Sequence, residues 1–433
     1  MRQTLAVLLW LLPAIALAQD FTTFKGHGGP IMGLAVSKDE QLASASFDNA
    51  VGLWRDGTPT WLEGHEAAVI AVVFAGADGI LSGGDDFAVR YWTLQDPSPQ
   101  VLGRHTAKVT GFAVAPDGAR AVSASWDGTL QVWSLPPSLD GSGAPERVLT
   151  GHKQGVNAAA FGPGNALFSA STDGTIRLWD LTDGTSRVIV KHGFAINQLV
   201  VDPAGAWLAY GAVDGVTRII DLATETELRD LSLDRRPILA MAHHAASGQL
   251  AVGDGEGYIM MISTSDWRIT HDFRAARQGP VWALAFSPDG ETIYAGGLDD
   301  AIYAWPVDLL DRFDAAIDGE RSFLRDVETM SNGERQFMRK CSICHALEDG
   351  PSRKAGPTLY GVFGRAAGAV PGYRYSDTLD GSAIIWDDET IDALFDIGPD
   401  HYIPGSKMPM QVIAKPSDRA DLIAYLKEAT TGN

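Results

Sequence analysis

A unit of about forty residues recurs through the N-terminal two thirds of this chain, and the recurrence limits the folds available to it. Each unit reads as an apolar strand, a turn, a strand of small residues, an acidic turn residue and a closing strand. Five units begin at a histidine: His27, His65, His105, His152 and His192. In seven units an acidic residue stands six positions before the closing residue of a strand: Asp48 and Trp54, Asp86 and Trp92, Asp127 and Trp133, Asp173 and Trp179, Asp214 and Ile220, Glu256 and Ile262, Asp299 and Trp305. Seven similar units, each packed on its neighbours, are therefore predicted.

These units resemble the WD-repeat family, and Leu178-Trp179-Asp180 is the closest match to the closing motif of that family. The resemblance implies an all-β, seven-bladed propeller over residues 19–307, with four strands in each blade. It also implies a buried network in which the histidine bonds the turn aspartate and connects through a Ser or Thr to the tryptophan. In the fourth unit the network residues would be His152, Ser169 or Ser171, Asp173 and Trp179. A buried imidazole needs partners for both nitrogens, so we interpret these histidines as structural.

The first and last repeats suggest how the ring closes. The short strand Phe21 to Phe24 precedes the first histidine, and the seventh unit ends at Trp305 without an outer strand after it. We therefore expect the N-terminal strand to complete the last blade, which removes two open sheet edges.

The chain has only two cysteines, and they form a short motif near residue 341 with the histidine that follows them. Cys341-x-x-Cys344-His345 is the attachment sequence of a c-type haem, in which two thiols form thioethers and the histidine binds iron. A redox-active dithiol would need a βαβ context, and a structural zinc site would need about four N or S ligands. Neither accompaniment is evident in the sequence, so we predict one covalently attached haem c and no disulfide.

Residues 330–433 resemble class I cytochrome c, an all-α domain. The resemblance rests on motifs that stand in order: Cys341 to His345, Gly356-Pro357-Thr358-Leu359-Tyr360-Gly361, Phe363-Gly364-Arg365, Pro371-Gly372-Tyr373-Arg374-Tyr375-Ser376, Trp386 and Tyr402-Ile403-Pro404-Gly405-Ser406-Lys407-Met408-Pro409. Ser331 and Glu334 form a capping box for a first helix, and Ser417 is expected to cap a last helix that crosses it near Gly333.

The resemblance assigns His345 and Met408 as the two axial iron ligands, and Met410 is the rival methionine. It implies that the Pro357 carbonyl accepts the second N–H of His345. Phe395 falls near a position where mitochondrial members carry a tyrosine that reaches the methionine sulfur, and a phenylalanine cannot donate that bond.

Three further residues match positions that hold a haem propionate in the family: Arg365, Tyr375 and Trp386. A buried carboxylate requires hydrogen-bond donors or a cation, which agrees with those residue types. Residues 330–433 contain 11 Lys and Arg against 14 Asp and Glu, so the basic docking ring of mitochondrial cytochromes is weakened.

The N-terminus has the features of a secretory signal peptide over residues 1–18. Arg2 precedes an apolar run from Leu5 to Leu17, and Ala16-Leu17-Ala18 provides a small-x-small cleavage site. We expect cleavage after Ala18, a periplasmic protein and no membrane span in the mature chain. The formal net charge of −20 disfavours nucleic acid and anionic membranes as partners. Residues 308–329 have partly helical spacing and are expected to form a helical linker.

These features predict an exported electron carrier without catalytic residues, because two axial ligands leave iron no open position for a substrate. Redox proteins would dock on the propeller or at the haem edge. A periplasmic redox enzyme with a second cofactor in the propeller, and a haem-based sensor or assembly scaffold, are the alternatives. The sequence leaves open the electron donor and acceptor, the reduction potential, the oligomeric state, and whether the propeller binds a partner, a ligand or the cytochrome domain of its own chain.

Overall fold

The computed structural model describes residues 21–430 except 77, 95, 138–143, 232–236, 277–278, 313–329, 343, 351, 353 and 409–410. The predicted signal peptide and residues 313–329 of the predicted linker lie outside the described residues.

The described residues of the N-terminal region form seven four-stranded antiparallel sheets, the blades of a propeller. The predicted fold class is confirmed, and each blade consists of consecutive strands except the seventh. Blades 1 to 3 contain β2 (Ile31–Val36), β3 (Leu42–Ser46), β4 (Ala50–Arg55), β5 (Thr58–Glu63), β6 (Val69–Phe74), β7 (Gly79–Gly84), β8 (Ala88–Thr93), β9 (Asp96–Arg104), β10 (Val109–Val114), β11 (Arg120–Ser125), β12 (Thr129–Ser134) and β13 (Arg147–Thr150).

The remaining blades follow the same order along the chain. Blades 4 to 6 contain β14 (Val156–Phe161), β15 (Leu167–Ser171), β16 (Thr175–Trp179), β17 (Ser186–Lys191), β18 (Ile196–Val201), β19 (Trp207–Ala212), β20 (Thr217–Asp221), β21 (Glu227–Asp230), β22 (Ile238–His244), β23 (Gln249–Asp254), β24 (Tyr258–Ser263) and β25 (Ile269–Arg274). Blade 7 contains β26 (Val281–Phe286), β27 (Thr292–Gly297), β28 (Ala301–Pro306) and, from the start of the chain, β1 (Thr22–Lys25).

Strand β1 closes the ring, as the sequence predicted. It pairs antiparallel with β28, so that Thr22 lies opposite Ala304 and Lys25 lies opposite Ala301. Beside it, the ring of Phe21 stacks on Trp305 with 4.3 Å between the ring centroids. The pairing leaves blade 7 with four strands like the other blades.

One strand of each blade, here called the inner strand, has a β-bulge after its first residue, and side chains at these bulges connect neighbouring blades. The inner strands are β2, β6, β10, β14, β18, β22 and β26. The register with the second strand shifts at that point in all seven described blades. The side chains at three of these bulges donate to a carbonyl at the start of the next inner strand. The bonds are Thr110 Oγ1 to Val156 O at 2.7 Å, Asn157 Nδ2 to Ile196 O at 2.9 Å and Asn197 Nδ2 to Ile238 O at 2.9 Å.

Blade 4 contains the buried network that the resemblance implied. His152 Nδ1 lies 2.9 Å from Asp173 Oδ2, and His152 Nε2 lies 2.7 Å from Ser169 Oγ. Trp179 Nε1 donates to the same serine oxygen at 2.8 Å, so Ser169 rather than Ser171 is the network serine. Burial lowers the pKa of His152, which favours a neutral imidazole. Blades 1 to 3 repeat the arrangement: His27, Ser44, Asp48 and Trp54; His65, Ser82, Asp86 and Trp92; His105, Ser123, Asp127 and Trp133.

Blades 5 to 7 form different contacts at the corresponding turn. In blade 5, His192 Nε2 lies 3.0 Å from Asp214 and its Nδ1 lies 3.3 Å from the Tyr210 hydroxyl. In blade 6 the predicted Glu256 lies in the turn, and Asp254 at the end of β23 accepts the backbone N–H groups of residues 256 and 258. In blade 7, Tyr303 donates its hydroxyl to Asp299 at 2.6 Å.

The C-terminal region is a small helical domain with α1 (Asn332–Lys340), α2 (Asp388–Ile397), α3 (Pro399–Tyr402) and α4 (Pro416–Thr430). Helices α1 and α4 cross closely, because a Cβ at Gly333 would lie 2.1 Å from the Asp421 carbonyl oxygen. Ser331 caps α1 by accepting the Glu334 N–H, as predicted. The predicted cap at Ser417 is wrong, because α4 begins at Pro416 and includes Ser417 in its first turn.

Between the two regions, Val307–Arg312 form a 3₁₀ helix directly after β28. Leu310 is buried against the core of blade 7, in contact with a cluster that includes Trp305 and Phe273. Among the described residues, none of the helices combines the length and the apolar character needed to cross a bilayer.

The first prediction concerns Ser169. Substitution Ser169→Ala leaves a buried imidazole and a buried indole N–H without their shared partner, and should lower the free energy of unfolding by about 1–3 kcal/mol. Denaturant unfolding followed by tryptophan fluorescence measures the change. The control Ser265→Ala removes an exposed hydroxyl that bonds Ser263 and should stay within about 0.5 kcal/mol of the parent. Equal unfolding midpoints for the two variants would contradict the structural role of the network.

Candidate functional site

The end of α1 presents the two cysteines and the following histidine to one cavity. The chain turns after Lys340: the N–H of Cys344 donates to the Cys341 carbonyl at 3.0 Å, and the N–H of His345 donates to it at 2.9 Å. Residues of one tight helical turn lie close together, so all three side chains line the same space.

The cavity encloses about 1130 Å³ of empty space, including the part that opens to solvent. Its wall joins the attachment turn to segments far along the chain, including the loop after α3 that carries Met408. The lining is mainly apolar and aromatic, as in ligand pockets generally. Besides the attachment residues and Met408, the wall includes Pro357, Leu359, Val362, Tyr373, Leu379, Ile391, Leu394, Phe395, Ile403 and Leu426.

A backbone carbonyl orients His345. Its Nδ1 lies 2.7 Å from the Pro357 carbonyl oxygen, so Nδ1 carries the proton and Nε2 is left to act as a metal ligand. Burial lowers the pKa of His345, which favours the neutral ring that iron requires. Gly356 makes this approach possible, because a Cβ there would lie 2.5 Å from His345 Cε1.

Cys341 is buried and Cys344 is partly buried. Burial raises the pKa of Cys341 to about 12 and that of Cys344 to about 11. Redox-active dithiols contain a cysteine whose pKa is depressed, so these buried thiols do not have the character of such a pair.

The three predicted propionate contacts all line the cavity. Arg365 is anchored by its guanidinium, which donates to the carbonyls of Tyr360 at 2.6 Å and Thr358 at 2.8 Å. The Tyr375 hydroxyl accepts the Val370 N–H at 3.2 Å, and its own proton is left for another acceptor. The backbone N–H of Trp386 donates to the Arg365 carbonyl at 2.9 Å, and this bond holds the two segments together.

Sequence reasoning missed three polar residues in the cavity wall. Tyr373 donates its hydroxyl to the Ala355 carbonyl at 2.7 Å, and Ser376 and Gln411 each bury a side-chain oxygen that has no hydrogen-bond partner in the described structure. Buried polar atoms are usually paired, so these two oxygens fit a site completed by a polar ligand group. Tyr373 and Ser376 lay within a recognised motif, whereas no sequence signal marked Gln411.

Of the three residues that the sequence placed on the methionine side of the haem, two line the cavity of the described structure. Met408 lines the wall and packs against the core of the domain. Phe395 is buried in the same wall, where it provides no hydrogen-bond donor. The rival Met410 lies outside the described residues.

The residues present fit a haem. Two thiols and an oriented imidazole lie in one wall of a mainly apolar cavity, with a thioether and a guanidinium elsewhere in the same wall. Cys341 and Cys344 would form the thioethers, His345 and Met408 would bind iron, and Arg365, Tyr375 and Trp386 would lie near the polar edge of the group.

The second prediction tests the space beside His345. Substitution Gly356→Ala puts a methyl group against the imidazole and should cost about 1–3 kcal/mol of stability through overpacking. It should also raise the high-spin fraction in the absorption spectrum of the haem-loaded protein, because His345 is displaced. The control Gly111→Ala, in the propeller, adds a methyl group whose nearest neighbour is 3.5 Å away and should leave the spectrum unchanged. A parent-like spectrum for Gly356→Ala would show that the close contact is not needed.

Comparison with known proteins agrees with this architecture. The WD domain, G-beta repeat family matches residues 19–55, 97–134, 143–180 and 267–306, and the Cytochrome c family matches residues 330–430. Similar relatives include cytochrome c from Sesamum indicum (48% identical over 103 residues, 90% of that protein), from Nigella damascena (44% over 102 residues, 89%) and from Theileria parva (46% over 101 residues, 86%). Each alignment covers 23% of this chain. Through these C-terminal residues the chain belongs to the cytochrome c family, and it carries the covalently bound haem c of that family in a domain that follows a seven-bladed WD40 propeller in the sequence.

Proposed function

We propose that the protein is an exported electron carrier that passes single electrons through one haem c ligated by His345 and Met408. The propeller, on this proposal, supplies the surface on which a redox partner docks. The observation that carries the proposal is the single cavity that brings the attachment turn and the Met408 loop together. The similarity to electron-carrying cytochromes c over residues 330–430 supports it.

The chain's own residues set the conditions for electron transfer. When bound, haem c supplies an iron centre that cycles between two oxidation states. Pro357 fixes the orientation of His345 and strengthens it as a ligand. The thioether of Met408 favours the reduced metal, and the apolar wall around both ligands limits access of water. Two protein ligands leave no iron position for a substrate, so the proposal is a carrier and not an enzyme.

The propeller surface has a feature suited to partner docking. Trp126 is 50% exposed on blade 3, yet three neighbours hold its ring in place. The Lys108 ammonium lies 3.5 Å from the ring centroid, and Trp126 Nε1 donates to Asn157 Oδ1 at 2.9 Å. On the third side the ring lies so close to Gly155 that an added Cβ there would be 2.9 Å from it. Exposed tryptophans held rigidly often anchor protein interfaces, so Trp126 is a candidate contact residue for the partner.

Export is proposed on the N-terminal sequence and on the cofactor. The first 18 residues have the charged, apolar and small-residue segments of a signal peptide. In bacteria haem is attached to this motif outside the cytoplasm, so export and attachment are consistent with each other.

The direct test combines stoichiometry, potentiometry and capture. Protein purified from the periplasm should contain one haem c per chain and show a single reversible one-electron transition. Immobilised full-length protein should then capture a redox protein from a periplasmic extract, and Trp126→Ala should capture less of it. A second chromophore, or the absence of a reversible transition, would refute the proposal as stated.

The third prediction distinguishes the two methionines. Substitution Met408→Leu removes the thioether and should abolish the methionine-to-iron absorption band of the oxidised protein. The reduction potential should fall by on the order of 0.1 V, because a soft ligand to reduced iron is lost. The control Met338→Leu alters a methionine that packs against the same core and should retain both properties. If Met410→Leu and not Met408→Leu removes the band, then the ligand assignment is wrong.

The fourth prediction concerns processing. The mature protein isolated from the periplasm should begin at Gln19, which intact-mass measurement can determine. Substitution Ala18→Arg should block cleavage at this site, because a small residue is required there. The control Ala6→Val keeps the apolar run and should be processed normally. A mature protein that retains Met1 would contradict the proposed signal peptide.

A further inference from the structure

An ion pair joins the propeller to the cytochrome domain. Arg374 Nη2 lies 2.9 Å from Glu66 Oε1, although the residues are 308 positions apart in the chain. Burial lowers the pKa of the half-buried Lys354, and the negative charge of Asp300 on the propeller partly offsets that effect. Unlike charges attract, so the Arg374–Glu66 ion pair favours contact between the two domains and the charge of Asp300 adds to it.

The two acidic residues lie on the same face of the propeller. Glu66 stands in the connection between β5 and β6, and its N–H donates to Asp86 in the turn between β7 and β8. Asp300 stands in the equivalent turn between β27 and β28 of blade 7. The connections between blades and the turns between the second and third strands of the blades therefore lie at the same end of the ring.

On the cytochrome side, both basic residues bond to the segments that hold the haem ligands. Lys407, which precedes Met408, donates to the Arg374 carbonyl at 3.2 Å. Lys354 donates to the Ser342 carbonyl at 2.7 Å, between the two attachment cysteines. The charges that approach the propeller are thus next to the attachment turn and to the Met408 loop.

The distribution of charge favours this side of the cytochrome domain over the others. Its first long helix after the attachment turn, α2, and the residue before it are rich in acid: Asp387, Asp388, Glu389, Asp392 and Asp396. Residues 21–306 contain 19 Lys and Arg against 32 Asp and Glu, so the propeller repels such a surface. The haem side, with Lys354, Arg374 and Lys407, is the complementary one.

We propose that the acidic propeller face around Glu66 and Asp300 is a docking surface for the haem side of the cytochrome domain of the same chain, and that docking restricts access to the haem. This inference rests on the proposed electron-carrier function, and it adds that the propeller covers the haem side of the cytochrome domain until the contact is released. The Arg374 and Glu66 side chains are 75% and 39% exposed, so salt screens the pair and the contact is weak enough to release. An external partner would then compete with the propeller for the same basic groups.

The test uses the full-length, haem-loaded protein and the anionic oxidant ferricyanide at low ionic strength. Substitution Arg374→Gln removes a positive charge beside the haem, which by direct attraction alone would slow the reaction. Release of the docked domain predicts the opposite, a rate roughly two- to fivefold higher than that of the parent. Small-angle scattering should show a larger radius of gyration for the variant, and high salt should remove both differences.

Two further variants complete the design. The charge exchange Glu66→Arg with Arg374→Glu should restore the parent rate, whereas the control Glu291→Gln, in the turn between β26 and β27, should not change it. A rate for Arg374→Gln equal to or below the parent, with unchanged scattering, would overturn the proposal. A second-order rate constant that changes with protein concentration would also overturn it, because the occupant would then be a second copy. Failure of the electron-carrier function is distinguishable, since no variant would then show reversible reduction.

Discussion

The packing of the propeller depends on hydrogen bonds that pair the nitrogens of buried imidazole rings. In blades 1 to 4 each histidine ring has two nitrogens inside the protein, and one carboxylate and one serine hydroxyl serve both of them. The same carboxylate accepts backbone N–H groups in its turn, and the same hydroxyl accepts the tryptophan indole of the third strand. One network therefore fixes the loop between blades, the hairpin turn and the third strand at once, and this explains why its residues recur at constant spacing.

Constant spacing is also the reason that the sequence predicted so much of the propeller. The seven blades, the ring closure and the network of blade 4 follow from positions that repeat. Prediction was poorer where the histidine is absent. In blade 6, which lacks the histidine, Asp254 at the end of β23 accepts two backbone N–H groups of the turn, a contact that the repeat pattern did not indicate. Blade 5 keeps its histidine, but Tyr210 occupies the strand position of the network serine, four residues before the turn aspartate, and its hydroxyl contacts His192 there.

The candidate site was predictable to the extent that its residues form local motifs. Cys341, Cys344 and His345 share one turn, and Pro357 lies in a short motif whose glycine leaves room for the imidazole. Ser376 and Gln411 could not be predicted in this way. Whether a side-chain oxygen is buried without a hydrogen-bond partner depends on the tertiary structure, which a local motif does not show. Helix α4 is a similar case, since Pro416 suits the first helical position and moves the start of the helix ahead of Ser417.

The pairing of β1 with β28 has a consequence for the order in which the chain can fold. The first strand to be synthesised finds its partner only when Ala301–Pro306 have followed it, so the seventh sheet is the last to be completed. Contacts between such distant segments form slowly, because a long loop must be closed before they gain any stability. Until then the incomplete ring has two unpaired sheet edges, which are prone to aggregation. The haem attachment turn lies C-terminal to β28, so every strand of the ring precedes it in the chain.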